Sequence, residues 1–390
     1  MPVTYTPREM LEKLVGFDTV SAKSNLALVQ FAKDYLEGHG ARVHLMPDET
    51  GEKAGLLANI GPEVPGGMVL SGHTDVVPVE GQAWSTDPFS VVERDGRLYG
   101  RGTCDMKGFD ALALCAAADA AKVGLKRPLQ IAFSFDEELG CRGAPPLVAE
   151  MRKVLPPASA VIVGEPTMMG VVSTHKGGAG FTTYVHGFEV HSSQVHKGVS
   201  AVMTAARLVT WLEDRMAENR AKAEAGPYPE AEGFEPPWTT LHVGLFHGGT
   251  AGNITAKDAW FSTDIRVVPP EVPAEWAERY IAECARLEAE IRKIRPEARI
   301  DPQPRIPVPP CRREENGEAE RVARTITGDN AERAVAYGTE AGFFQEAGYS
   351  TIVCGPGDIA QAHQPDEFLE ADQLDKGEAF MKRLVEMLAA

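Results

Sequence analysis

Three short apolar runs in the first half of this chain each stop at a side chain that can hold a cation or a proton. Met68–Ser71 runs into His73, residues 129–135 (LQIAFSF) run into Asp136 and Glu137, and residues 160–164 (AVIVG) run into Glu165. Runs of this length read as buried strands, and the stretches between them, 108–123 and 145–154, have helical periodicity. Strands alternating with helices predict an α/β fold with a sheet between helical layers. Open sheets of that kind keep their ligand crevice at the C-terminal ends of the strands, which is where these donors fall. Polar residues follow strands in any protein because loops are polar. That bias explains one such segment far more easily than all of them.

The chain has 390 residues, beyond the roughly 250–300 at which one core stops growing, so two domains are expected. From about Gly178 the pattern changes. FTTYVHGF (181–188) alternates, 199–220 is an amphipathic helix, and 239–246 and 259–268 alternate again. Residues 274–293 are helical and 298–305 could be a last strand. This β-α-β-β-α-β order predicts a split βαβ, ferredoxin-like α+β domain. The expected organisation is therefore a catalytic domain from 1–178 and 307–390, with 179–306 inserted into it. Pro-rich stretches at 226–237 and 302–310 read as a loop and a hinge.

Net charge is −17, which argues against nucleic acid or an anionic membrane as partner, since both need a basic surface. No run approaches the ~18 apolar residues that span a bilayer. The six cysteines are scattered without a CxxC pair and read as reduced, packed thiols. The N-terminal stretch has no apolar h-region, so a cytoplasmic location is expected.

Five turn-bounded segments carry the chemistry: SGHTDVVPV (His73, Asp75), GRGTCDMKG (Asp105), DEELG (Glu137, Glu138), GEPT (Glu165) and AHQPDE (His363). Imidazole and carboxylate together suit zinc, and catalytic zinc keeps a position open for water. Each residue also has an ordinary explanation alone: a satisfied histidine, an Asx turn or a first-turn helix acid. Glu137 directly precedes Glu138, so the two side chains diverge, and Glu137 is the expected general base.

In this order the segments resemble the cocatalytic dinuclear-zinc aminoacylase and carboxypeptidase family. The resemblance covers nearly the whole chain and is most specific at SGHTDVVPV, YGRGTCDMKG, DEELG, IVGEPT and AHQPDE. It implies a zinc-exopeptidase-like αβα catalytic domain with an inserted ferredoxin-like dimerisation or lid domain, hence a homodimer. It implies two divalent metal ions, zinc first and cobalt as an alternative. His73 and Glu165 would hold one ion, Glu138 and His363 the other, and Asp105 would bridge them, with Asp75 orienting His73. His191, in GFEVHSSQVHKG, would reach the other subunit's site and donate to an oxyanion. Val195 stands where the family usually has proline, which puts that local turn in question. Asn253 and Arg266 resemble the family's carboxylate-binding pair. The implied substrate is a small N-acyl amino acid. The stretch from Tyr337 to Glu370 is most similar to the family branch that deacetylates N2-acetyl-L-ornithine, with Glu340 as candidate partner for the side-chain ammonium. A desuccinylase, a dipeptidase or carboxypeptidase, and a non-enzymatic amino-acid-binding module remain alternatives.

Overall fold

The computed structural model describes residues 2–390. The chain divides into two compact units. One holds the chain up to Thr174 together with Arg313–Arg333 and Thr339–Ala390, and the other holds His175–Arg312 and Ala334–Gly338.

The first unit is built on a six-stranded mixed sheet. Its order is Arg42–Pro47, Ala54–Ile60, Leu129–Ser134, Gly67–His73, Ala158–Pro166, Ser350–Gly355. The first two pairings are antiparallel and the other three parallel. The central strands are buried on both faces, which is why they read as unbroken apolar runs rather than alternating ones. Met68, Leu70, Ile131, Ala160, Ile162, Ile352 and Cys354 share one core with helices Leu26–Gly38, Lys107–Ala120 and Glu318–Thr327. The intervening positions face the other way: a Cβ on Gly55 would meet Leu147 of helix Ala144–Val154 at 2.8 Å.

Helix Lys107–Ala120 is buried along almost its whole length. Its alanines let it lie close to the sheet while Pro7–Val15 and Ala371–Ala389 pack behind it. The approach is closest at the strand ends. A Cβ on Gly164 would fall 1.9 Å from the Phe109 ring, so only glycine fits there, one residue before Glu165. This packing sets the depth of the helix N-terminus, and with it the Asp105 turn.

The second unit has strands Gly177–His186, Thr240–Gly248, Asp258–Val267 and Arg299–Pro304, with helices Ala201–Ala225 and Pro273–Ile291 between them. Every pairing is antiparallel and the middle strands are Gly177–His186 and Asp258–Val267. That is the split βαβ arrangement expected from the alternation. Asp258–Val267 buries every second residue, with Phe261, Ile265 and Val267 under the helices beside Phe181 and Tyr280. The bounds of this unit differ from the expected 179–306. Val308 bridges to Gly178 and Cys311 to His175, and Val335 accepts from the Lys176 amide at 3.2 Å, so residues 307–312 and 334–338 go with it.

Candidate metal centre

The expected donors of the first unit converge at one end of the sheet. His73 is the last residue of its strand, Glu165 is the penultimate residue of Ala158–Pro166, and Glu137 and Glu138 follow Leu129–Ser134 by three and four residues. Asp105 lies in the turn before helix Lys107–Ala120, and His363 in the loop before strand Phe368–Glu370.

Asp105 sits at the centre. Its Oδ1 is 3.0 Å from His73 Nε2 and its Oδ2 is 3.3 Å from His363 Nε2. His73 Nε2 is also 3.8 Å from Glu165 Oε1, and His363 Nε2 is 3.0 Å from Glu138 Oε1. Two groups of donor atoms, one from His73, Glu137 and Glu165 and one from His73, Asp105 and Glu138, each lie within 4.8 Å of one another. Each could hold a cation. His73, Asp105 and Glu165 are buried, whereas the His363 side chain is 50% exposed, so the cluster opens to solvent on the His363 side.

Burial pushes the Asp105 carboxyl up, but hydrogen bonds with His363 and His73 outweigh it and hold that acid below its ordinary range. The remaining acids shift the other way. Burial, with the neighbouring acids, pushes Glu137 up to about 8 and also raises Glu138 and Glu165. His363, bonded to Asp105 and Glu138, is raised to about 10, and His73 is raised despite its burial by Asp105 and Glu165. Four carboxylates crowded together out of water need compensating positive charge. Protons on two histidines supply it in part, and divalent cations would supply it fully. The donor set of imidazole nitrogens and carboxylate oxygens therefore fits zinc or a similar ion.

The supports around the donors were only partly anticipated. Asp75 was expected to orient His73 with its carboxylate. The nearest partner of His73 Nδ1 is instead the Asp75 backbone carbonyl at 2.9 Å, with carboxylate Oδ1 at 3.6 Å. That carboxylate accepts from the Ser21 hydroxyl at 2.6 Å and from the amides of Glu137 and Glu138 at 3.1 and 3.3 Å, so it anchors the acidic turn. Glu367 and Arg101, both 1% exposed, form a buried ion pair at 2.6 Å. Glu367 Oε1 also accepts from the amides of Cys104 and Asp105 at 3.0 and 3.1 Å, fixing the Asp105 turn. Gln82 donates to the His363 carbonyl at 3.0 Å and takes a hydrogen bond from Arg101 through its Oε1. Sequence reasoning missed Ser21, Arg101 and Glu367. The last two lie inside the quoted motifs as charged residues beside the expected ligands Asp105 and His363.

Glu340 does not fit the expectation of an ammonium partner. It is 1% exposed, its Oε1 lies 2.5 Å from the Ser134 hydroxyl, and burial raises its carboxyl to about 8.

His191, Asn253 and Arg266 belong to the second unit. His191 is exposed and caps the short 3-10 helix Ser192–Lys197, its Nδ1 accepting from the Ser193 amide at 3.2 Å. With Nδ1 accepting there, Nε2 is the ring nitrogen left to donate. Asn253 is brought alongside, because its carbonyl accepts from the Ser192 amide at 2.8 Å and Ile254 bridges to His191. Valine at 195, more than half exposed, does not prevent this turn. Arg266 lies on strand Asp258–Val267 with its Nε donating to Asp264 Oδ2 at 2.9 Å.

The model of peptidase family M20/M25/M40 matches residues 69–387. An acetylornithine deacetylase of Myxococcus xanthus is 36% identical, covering 97% of this chain and 96% of that protein. One from Pasteurella multocida is 33% identical over the same shares. Among solved structures, an M20 family metallo-carboxypeptidase of Sulfolobus solfataricus superposes with TM-score 0.75 at 18% identity, covering 99% of this chain and 100% of that one. A dinuclear metal-binding M20 peptidase of Bacillus subtilis gives 0.61 at 15% identity, covering 98% and 97%.

Proposed function

The chain belongs to the peptidase family M20/M25/M40 and is a hydrolase of amide bonds, and on that premise we propose that it removes the acetyl group of N2-acetyl-L-ornithine, releasing L-ornithine and acetate. The observation that carries the reaction is the division of Asp105, one oxygen toward His73 and the other toward His363, with Glu137 beside the pair. The relatives' shared name supports the substrate.

His73 and Glu165 would hold one divalent cation and Glu138 and His363 a second, with Asp105 shared between the two groups. Zinc suits these donors first and cobalt second. When bound, such a pair supplies Lewis acidity, polarising the amide carbonyl and making water acidic near neutral pH. Glu137 takes the proton of the attacking water on its carboxylate and delivers it to the leaving α-nitrogen as the C–N bond breaks. His191 of a second subunit donates from Nε2 to the oxyanion of the tetrahedral intermediate. Arg266 exchanges Asp264 for the substrate carboxylate, with Asn253 as a further donor. Dimerisation is supported by strand Thr240–Gly248, an edge strand of its sheet with Leu245 and Phe246 exposed. Among the described residues no helix is long and apolar enough to cross a membrane. Scattered free thiols favour a reducing, cytoplasmic setting.

The test is hydrolysis of a panel of N-acyl amino acids and dipeptides by protein stripped with a chelator and reloaded with zinc or cobalt. Highest kcat/KM on N-acetylornithine is expected. Preference for succinyl-diaminopimelate or a dipeptide overturns the substrate, and inert, fully loaded protein overturns the reaction.

A further inference from the structure

The turn after strand Leu129–Ser134 doubles back on itself. The Glu137 carbonyl accepts from both the Gly140 and Cys141 amides, at 2.8 and 2.7 Å, and the Arg142 and Gly143 amides return to Asp136 and Phe135. Gly140 and Cys141 are both in the left-handed region, at φ +92° and +55°. For glycine that is free, but an L side chain there costs about 1–2 kcal/mol. Cysteine occupies the position all the same, 3% exposed, and its Sγ lies 3.2 Å from Glu137 Oε1.

Four of the acids nearby have stronger partners. Asp105 has two histidines, Glu138 has His363, Asp75 has Ser21 and two amides, and Glu340 has Ser134. Among the described residues, the Cys141 thiol is the one hydrogen-bond partner of the Glu137 carboxyl. We propose that Cys141 is a positioning residue, whose S–H holds the Glu137 carboxylate in the orientation from which it moves the proton. This rests on the reading of Glu137 as the base. A thiol suits the task because it is a weak donor. An amide or guanidinium would fix the carboxylate more firmly but would stabilise its charge and blunt it as a base. The strained backbone then has a reason: it aims a donor that glycine could not supply.

The test compares kcat and KM on the best N-acyl amino acid for wild type, Cys141→Ala, Cys141→Ser, Glu137→Gln and the Cys141→Ala/Glu137→Gln pair, all with verified metal content. Cys141→Ala should lower kcat about three- to tenfold, the scale of one modest hydrogen bond, with KM and bound metal unchanged. Cys141→Ser, which keeps a donor, should stay within about threefold of wild type. In the Glu137→Gln background the alanine change should cost nothing further, because its effect passes through the missing carboxylate. If the alanine variant unfolds, Cys141→Gly, which the left-handed backbone favours, takes its place. Wild-type kcat for the alanine variant, an equal loss for serine, or full additivity with Glu137→Gln would each overturn the proposal. Near-normal turnover by Glu137→Gln alone would instead overturn the base assignment.

Discussion

Removing the positive half of the Arg101–Glu367 pair is the sharpest test of how the Asp105 turn is held. The two side chains are each 1% exposed and 2.6 Å apart, and burial already pushes the Glu367 carboxyl above its ordinary range with Arg101 beside it. Arg101→Met keeps most of the stem's volume and leaves a buried carboxylate with two amides but no cation. Breaking such a pair from one side costs about 3–5 kcal/mol. Set against a total stability of about 5–15 kcal/mol, that is a large fraction. Adding Glu367→Gln removes the stranded charge while its Oε1 can still accept from the Cys104 and Asp105 amides. The double variant should regain at least half of the loss, a coupling of about 2 kcal/mol or more. Without Arg101 the folded-state pKa of Glu367 rises further above its unfolded value. Because the unfolded chain titrates alike in both proteins, the electrostatic part of the deficit should grow as pH rises through the wild-type folded value and level off above the variant's. Urea unfolding at pH 5 and 7.5, on zinc-loaded and chelated protein, reads all three quantities. A cost for Arg101→Met below about 1 kcal/mol, or strict additivity with Glu367→Gln, would refute the claim that this pair is an interdependent buried brace.

Glu137→Gln should retain metal but lower kcat by about 10²–10⁴-fold, measured by acetate release and metal analysis. His191→Ala should lower kcat by about 10²–10³-fold, and mixing it with Glu137→Gln protein should restore part of the activity if the histidine acts across a dimer. Glu340, raised to about 8 by burial, stabilises the fold fully below about pH 4.5 and loses that contribution as pH rises towards 8; Glu340→Gln should flatten this part of the curve of melting temperature against pH for chelated protein. Stripping divalent ions should abolish turnover and lower the melting temperature, and ion affinity should fall with decreasing pH because His73 and His363 must release protons to bind.

Much of this site was legible because both its strands and its ligands leave local marks. Strands buried on both faces appear as apolar runs, so Gly67–His73, Leu129–Ser134 and Ala158–Pro166 could be read, and their ends marked His73 and Glu165. Strands Arg42–Pro47 and Ala54–Ile60 were not read. The first is only half-buried at the sheet edge and mixes basic and apolar residues, and the second is a short run resembling any buried segment. Arg101 and Glu367 lie 266 residues apart, and a single sequence carries no mark of such a pairing. The enclosure of Glu340 was equally invisible, since it depends on what packs around the start of a six-residue helix. The Asp264–Arg266 pair is different. Residues two apart on a strand share a face, so that competition for the guanidinium could have been foreseen.

The same crowding explains why the cluster needs the scaffolding found around it. A turn carrying Glu137 and Glu138 toward Asp105 and Glu165 works against mutual repulsion, and loop backbone alone would relax away from it. The acidic turn is therefore tied through its amides to Asp75, which Ser21 holds in turn, and the Asp105 turn is tied through its amides to Glu367, which Arg101 holds. In both cases an acid one step removed from the cluster fixes backbone rather than side chain, leaving the donor carboxylates free to meet a cation. Residues that bind the amides of a turn preserve geometry without competing for the ligand, so changes at Ser21, Arg101 or Glu367 should act on ion affinity and stability before they act on the chemical step.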